Sequence, residues 1–459
     1  MCRSVGTIFG ELMDDLLHRL SDLCPSRVAL SSGYRMPGRL LYAVNHSFPF
    51  SSNGYAVRTH GIARALVREG VSVIAATRPG VPWDQPGFGS SDYASSHRVE
   101  GVRYVHSRRP SRHGLPPAMY LARAVDSVSE LLRVFKPSAV LAASNWENAL
   151  PVALAARTLG LPFFYEVRGF WEISRVSREP DWENTSEYRQ VVERETAVAQ
   201  AAERVFTINR FMRDELVRRG VARDQVDLVP NGFSDFPARS RPAPLGKGDV
   251  GITTRFVVGY VGSFNVYEGL EDLIEATAVV RRRGVDVSLL LVGSSASMGV
   301  GADAVRECSA SVAYRALAQR LGITEFVFLP GRVGPDEASD YYALLDLVVI
   351  PRRPFAVCEM VSPVKPLEAV ARGKRVLMSN VAPLADLAEL SQNFTYFEKG
   401  QVDSLAEKLV EVLFATACAT SLPECGALEM LSWERNVAPI AAALASVPQG
   451  LRRAASALR

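Results

Sequence analysis

The sequence predicts an α/β protein made of two βα-repeating domains, and three observations carry that expectation. Short apolar strands alternate with amphipathic helices along most of the chain, the pattern of open parallel sheets. The alternation halts once, at RSRPAPLGKGDVG (239–251), a run of Pro, Gly and charge, and then restarts. The 459 residues are long for one hydrophobic core and suit two. The expected boundaries are a peripheral extension over 1–37, a first Rossmann-like domain over 38–238, the linker 239–251, a second Rossmann-like domain over 252–425, and a C-terminal helix and tail over 426–459.

In the first half, RLLYAVNHSFPF (39–50) opens with an apolar strand. SSNGYAVRTHGIARALVREG (51–70) is a loop and then a helix, because Ile62, Leu66 and Val67 fall at helical spacing and Gly70 is a stop signal. VSVIAATRPG (71–80) is the next strand, completing one parallel-sheet unit. Residues 117–135 read as helix, SAVLAASN (138–145) as strand and Ala149 to Leu159 as helix. LPFFYEVRG (161–169) is a strand whose charged tip suits the rim of a ligand crevice. FWEISRVSREPDWENTSEY (170–188) reads as a polar loop. A helix over 186–203, the strand ERVFTIN (203–209), a helix over 211–220 and VDLVPNGFSDF (226–236) close the half.

The second half repeats the scheme. Strands are expected in RFVVGYVGSF (255–264), VSLLLVGSS (287–295), EFVFLPG (325–331), DLVVIPRR (346–353) and KRVLMSN (374–380). Helices are expected over 267–284, 310–321, 337–345, a short stretch of 359–373, 402–415 and 431–445.

Composition narrows the function. Lys and Arg number 52 against 49 Asp and Glu, and an excess this small does not imply a nucleic-acid partner. The six cysteines form no CxxC, which fits a reducing compartment. All six histidines lie at or before His113, so no His-based triad or zinc site can be built from the rest of the chain alone. No apolar run reaches membrane-spanning length and the start lacks the pattern of a signal peptide, so a cytoplasmic protein is expected. An amphipathic helix is expected from Ile8 to Leu23, ahead of the strong pattern that begins at Arg39. VRYVHSRRPSRHG (102–114) is a basic run, either a solvated loop or a face toward phosphate or anionic lipid; the second reading gives a peripheral contact with the inner face of the membrane. Neither half opens with GxGxxG, which disfavours a nicotinamide or flavin enzyme.

Several strand ends carry candidate chemistry. In GYVGSFNVYEGLEDL (259–273), Gly259 and Gly262 let backbone approach a ligand, and the N–H groups after Gly262, at Ser263 and beyond, favour an anion; the alternative is a plain βα turn. Glu268, Glu271 and Asp272 are expected to repel a phosphate there. In EMVSPVKPLEAVARG (359–373), Pro366 presets a helical turn and Glu368 lies two residues into it. Lys365 opposes the positive end of that helix unless an anion sits beside it. A buried Glu368 can accept two ribose hydroxyls while Lys365 meets a diphosphate; the alternative is a surface ion pair. Arg332 in PGRVG either meets phosphate or decorates a turn, and Arg352 or Arg353 either joins it or neutralises Glu359. In SFPFSSNGYAVRTHG (47–61), Gly54 allows close approach of a sugar, and Arg58 and His60 do not share a helix face. His60 reads either as a site residue or as helix-surface polarity. YEVRGFWE (165–172) offers Glu166, Arg168, Trp171 and Glu172, an aromatic beside carboxylates that suits a sugar. Asn231-Gly232 is a turn signal, and Asn231 is a candidate tie to the linker.

Taken in order, these segments resemble the retaining glycosyltransferases of family 4, which have the GT-B fold. The matching pieces are SFPFSSNGYAVRTHGIARALVREG, VFTINRFMRDELVRRGV with VDLVPNG, VVGYVGSF with EGLEDLIEA, LLLVGSS, FVFLPGRV, and IPRR with SPVKPLEAVARGKRVLMSN, spread over 39–445. The resemblance implies two domains facing a central cleft, with the C-terminal helix returning to the first. It implies a nucleoside-diphosphate sugar, UDP- or GDP-linked, as donor on the second domain, and a glycan, lipid-linked or small-molecule acceptor on the first. No permanent cofactor, no metal and no nucleic acid are implied. By this resemblance Glu368 holds the ribose and Glu359 lies near the sugar, although eight residues separate them here where the family pattern has seven. The family's basic pair after the first glycine turn is missing from SFNVYEG, and Arg332 and Lys365 are the substitutes. Near the sugar, where many relatives carry histidine, this chain has EVRG, so Glu166 or Arg168 stands in, with Gly54, Arg58 and Trp171 on the acceptor side. These departures are closer to capsule and exopolysaccharide enzymes than to sucrose-making or phosphatidylinositol-modifying ones. A nucleotide-sugar epimerase or phosphorylase, and a non-catalytic sugar-nucleotide binder, are the alternatives.

Overall fold

The computed structural model describes residues 5–22, 35–51, 53–86, 88, 93–233, 245–295, 308–415 and 432–447. Its strands form two sheets. The first contains β1 (Arg39–Val44), β2 (Ser72–Thr77), β3 (Ser96–Val99), β4 (Val102–Val105), β5 (Ala139–Ala143), β6 (Phe163–Val167), β7 (Arg204–Thr207) and β8 (Val226–Leu228), in the order β3-β4-β2-β1-β5-β6-β7-β8. Only the β3–β4 pairing is antiparallel. The second contains β9 (Phe256–Val261), β10 (Val287–Val292), β11 (Val327–Gly331), β12 (Leu347–Ile350), β13 (Val376–Ser379) and β14 (Phe394–Phe397), all parallel, in the order β11-β10-β9-β12-β13-β14. The central strands β5, β6, β10 and β12 are buried along their whole length. Burial on both faces is what makes them unbroken apolar runs in the sequence.

Chain contacts divide the molecule into two units: Met1–Phe48, Thr59–Pro230 and Asn436–Arg459 in the first, and Pro49–Arg58 with Asn231–Arg435 in the second. Each sheet grows outward from a central strand in one direction, then returns and grows in the other. The switch falls between β1 and β5 in the first unit and between β9 and β12 in the second. Loops beyond the carboxyl ends of strands at such a point are where open α/β sheets hold ligands.

Some elements depart from the sequence reading. The β3–β4 hairpin and β14 lacked a distinct pattern: the edge strands β3 and β14 are short and half-exposed, and β4, though mostly buried, is only four residues long. Segment 170–188 is no plain loop: it folds into a helix Trp171–Val176 and a 3-10 turn Pro180–Asn184. Trp182 is buried there, under the Arg175 guanidinium at 4.1 Å and edge-on to Tyr188. The helix Val5–Asp22 of the expected extension buries Met13, Leu16 and Leu20, and Arg157 donates to the Leu20 carbonyl, so it packs as part of the first unit. The basic run is partly consumed within its own unit: His106 is buried against Thr77 at 3.0 Å, and Arg112 pairs with Glu147 at 2.8 Å. Among the described residues no helix is long and apolar enough to cross a membrane. The linker residues 239–244, most of the expected tail and the residues joining the first helix to β1 lie outside the described residues.

Candidate functional site

In the second unit the chemistry gathers at the β9/β12 switch. Glu268 ends the short turn Val266–Glu268 after β9, and Arg352 follows β12. These residues are 84 apart in sequence, yet Arg352 Nη2 and Nε donate to the Glu268 carboxylate at 3.0 and 3.4 Å. Lys365 Nζ donates to the same carboxylate at 3.2 Å. The loops meet this closely because Gly269 lacks a side chain: a Cβ there would lie 2.0 Å from the Pro351 carbonyl oxygen, and φ is +69°. Arg352 Nη1 also donates to the Val361 carbonyl at 2.7 Å, so Glu268 steadies both ends of the 361–365 segment. All three side chains are largely buried, and two cations face one carboxylate. Burial alone would raise the Glu268 pKa, but Arg352 and Lys365 outweigh it and hold it down at about 2.

Lys365 runs over Gly262. A Cβ on Gly262 would fall 2.1 Å from Lys365 Cε, so the glycine opens the channel that brings the ammonium to the strand ends. Its Nζ lies 5.1 Å from the centre of the Tyr260 ring, whose hydroxyl donates to the Ser263 carbonyl at 2.9 Å. An ammonium has three donors, and one is spent on Glu268; no other hydrogen bond joins it to a described residue. Glu368, in the short helix Lys365–Ala371, is half-buried, and its carboxylate makes no hydrogen bond among the described residues. Burial pushes its pKa up, against the pull of Arg372 and Lys365. Arg332, just past β11, is buried, and that burial lowers its pKa.

The structure therefore joins Gly262, Ser263 and Lys365 in one place, around Glu268 and Arg352. Several expectations change. Glu268 does not repel an anion here as a bare charge, because it is neutralised by its two partners. Arg352 and Arg353 do not serve Glu359: the first pairs with Glu268 and the second with Asp272 at 2.6 Å. Glu359 instead accepts from Lys399 Nζ at 2.6 Å and from the Ala382 amide at 2.9 Å. The Gly262 and Phe264 amides are spent on the Val292 and Ser294 carbonyls, so they are not free for an anion. Glu268 was named in the sequence but given the wrong role; its pairing is legible only once β12 is known to lie beside β9.

In the first unit, Glu166 and Arg168 cancel each other. Arg168 Nε donates to Glu166 Oε2 at 3.0 Å, its Nη1 to Thr59 at 2.8 Å and its Nη2 to Tyr42 at 3.0 Å, while the Tyr42 hydroxyl donates to Glu166. Both side chains are buried. Trp171 lies 6.3 Å from His46, ring centre to ring centre. His60 is not surface polarity; it is fully buried, 2.8 Å from the Tyr104 hydroxyl. Gly54 has nothing within 4 Å of where a Cβ would stand, so no close approach fixes it as glycine. Arg58 belongs to the second unit, where it donates to Asn231 at 2.8 Å, and the Asn231 amide donates to the Ser362 carbonyl at 2.7 Å.

Glu172 pairs with Arg219 at 2.7 Å. Glu195, on the helix Ser186–Ala201, accepts from the Tyr165 hydroxyl and from the Trp146 amide at 2.8 Å. Burial, then the Glu172 charge, raises its pKa to about 7. Among the described residues no cluster of His, Cys, Asp or Glu could hold a metal ion.

The chain is similar to known glycosyltransferases. Residues 53–232 match a glycosyl transferase 4-like domain and residues 255–414 match the glycosyl transferases group 1 domain. The D-inositol 3-phosphate glycosyltransferase of Segniliparus rotundus is 27% identical over 128 residues, which is 28% of this chain and about a quarter of that relative's length (26%). The sucrose-phosphate synthase of Thermosynechococcus elongatus superposes with a TM-score of 0.65 at 17% identity, covering 88% of this chain and 98% of that one. The HepE protein of Anabaena, in complex with UDP and glucose, gives 0.61 at 16% identity, covering 89% and 99%.

Proposed function

We propose that this chain, a GT-B-fold glycosyltransferase related to the group 4 and group 1 families, moves a hexose from a nucleoside-diphosphate sugar to an acceptor with retention at the anomeric carbon. The observation that carries the reading is the pair at the β9/β12 switch: Lys365 with donors to spare beside a neutralised Glu268, and Glu368 with a carboxylate that no described residue engages. An ammonium and a carboxylate left this way suit a diphosphate and the hydroxyls of a ribose. UDP is the first nucleotide to test, since the similar Anabaena structure holds it.

In this reading the bond from the anomeric carbon to the diphosphate breaks, and a bond to the acceptor oxygen forms on the same face. The acceptor proton leaves with the diphosphate. Lys365 and Arg332 neutralise the charge that develops on that leaving group. Preorganised charge of this kind is often the largest catalytic factor, and loss of one donor costs about 10²–10³ in rate. The capsule and exopolysaccharide type, a cytoplasmic location and a glycan or lipid-linked acceptor belong to the same proposal. Titration calorimetry with UDP, GDP and ADP tests it. Lys365→Ala and Glu368→Ala should each weaken the preferred nucleotide about tenfold or more while the far-UV spectrum is unchanged. Unaltered affinity in both variants overturns the assignment. Nucleotide release only when acceptor is present separates transfer from epimerisation and from binding alone.

A further inference from the structure

We propose that Arg58 and Asn231 are positioning residues for the donor: they hold the segment 361–365 so that the Lys365 ammonium meets the diphosphate. This rests on the donor reading above and adds the residues that set its geometry. Arg58 ends the first stretch of chain in the second unit, Pro49–Arg58, and Asn231 begins the other, Asn231–Arg435. The two are 173 residues apart in sequence, yet Arg58 Nη1 donates to Asn231 Oδ1 at 2.8 Å, and both side chains are buried. The Arg58 guanidinium stands 5.6 Å from the centre of the buried Trp433 ring. Ser432, next to that tryptophan, forms a backbone bridge with Phe233, two residues past Asn231.

The chemistry of this cluster fixes a direction. A guanidinium only donates, so Arg58 draws the Asn231 amide oxygen toward itself and turns the NH2 group the other way. There Asn231 Nδ2 donates to the Ser362 carbonyl at 2.7 Å. The preceding carbonyl, of Val361, accepts from Arg352 Nη1 at 2.7 Å. Two consecutive peptide planes are thus held, one by each partner, and a planar peptide whose carbonyl is fixed has its amide fixed as well. Pro363 and Pro366 then restrict φ at two of the next four residues.

The two clamps act differently. Arg352 also reaches Lys365 through the Glu268 carboxylate that both share. The Asn231 bond ends on the main chain three residues before Lys365, so its effect on the ammonium passes through the backbone. A neutral amide on a carbonyl brings no charge to a diphosphate; what it supplies is placement, and a small misplacement of a charged group is costly in a site of this kind.

The test is a double-mutant cycle in the full chain, read by titration calorimetry with whichever of UDP, GDP and ADP the parent binds most tightly. Asn231→Asp keeps an oxygen for Arg58 but has no hydrogen for the Ser362 carbonyl. It should weaken the nucleotide about fivefold, the loss of one hydrogen bond, and have no further effect once Lys365 is replaced by alanine. Arg58→Met keeps a long side chain against Trp433 but lets the Asn231 amide turn; it should weaken the nucleotide about two- to threefold, again only while Lys365 is present. A merely structural role would lower affinity equally in both backgrounds, so equal effects, or unaltered affinity in both variants, overturn the proposal. If Lys365→Ala weakens binding while Asn231→Asp and Arg58→Met do not, the donor reading stands and this inference alone falls. If Lys365→Ala leaves affinity unchanged, or the parent binds none of the three nucleotides, the donor reading fails and this inference fails with it.

Discussion

The two switch points of this molecule treat charge in opposite ways. At β9/β12 in the second unit, one buried carboxylate is set against two cations, and one of these, Lys365, keeps donors in hand. At β1/β5 in the first unit, Glu166 and Arg168 cancel, and what remains unpaired is neutral. The same topology thus yields one point with cationic donors to spare and one whose charges balance. Sheet order places both, but the surplus or balance of charge gives each its chemistry.

The largest expected difference between them is in stability. Glu268→Ala leaves Arg352 and Lys365 buried together without their counter-charge, a loss of about 3–5 kcal/mol. Glu166→Gln leaves Arg168 its contacts with Thr59 and Tyr42, so a smaller loss, about 1–3 kcal/mol, is expected. Urea unfolding of both variants checks the order, and equal losses would break the comparison.

Acidity should separate the units next, through two buried carboxyls. The folded-state pKa of Glu268 is depressed to about 2, so its stabilising contribution is present above the ordinary carboxylate range and is lost as pH falls from about 4.5 through 2. The folded-state pKa of Glu195 is raised to about 7, so stability is highest while it stays protonated and declines as pH rises from about 4.5 through 7. Glu195→Gln should remove that decline, at most about 3 kcal/mol, from the pH dependence of unfolding. A Gln variant with the same slope between pH 5 and 7 as the parent, about two units apart, would show the decline to lie elsewhere.

The glycines give finer comparisons. Gly293→Ala puts a Cβ 1.8 Å from the Gly262 carbonyl oxygen, a backbone atom that cannot step aside, so a loss of about 2–3 kcal/mol in unfolding free energy is expected. Gly262→Ala collides chiefly with the flexible end of Lys365, which can swing away, although its φ of +154° strains any side chain there. That variant should cost about 1–2 kcal/mol, less than Gly293→Ala, and also show weaker nucleotide binding. Gly54→Ala meets nothing, and a change within about 0.5 kcal/mol is expected, the smallest effect of the set.

The strand–helix alternation was legible because parallel strands buried on both faces must be apolar throughout, as in VSLLLV of β10 and AVLAA of β5. The edge strands and the helix Trp171–Val176 were not, since half-exposed residues mix polar and apolar without a period. Of the site, Lys365, Gly262 and Glu368 stood out by residue type at a strand end. Glu268 was visible but took the wrong sign, because a sequence shows a charge without its partners.

What the sequence determined alone is the set of groups available: which loops end in glycine, which carry an acid or a base, and that two sheets would present them. What only the tertiary structure decided is their pairing. Arg352 went to Glu268 rather than to Glu359, seven residues along the chain from it, because β12 lies beside β9 and Gly269 lets their loops touch. Electrostatic energy depends on distance through space and on burial, and neither is a function of distance along the chain.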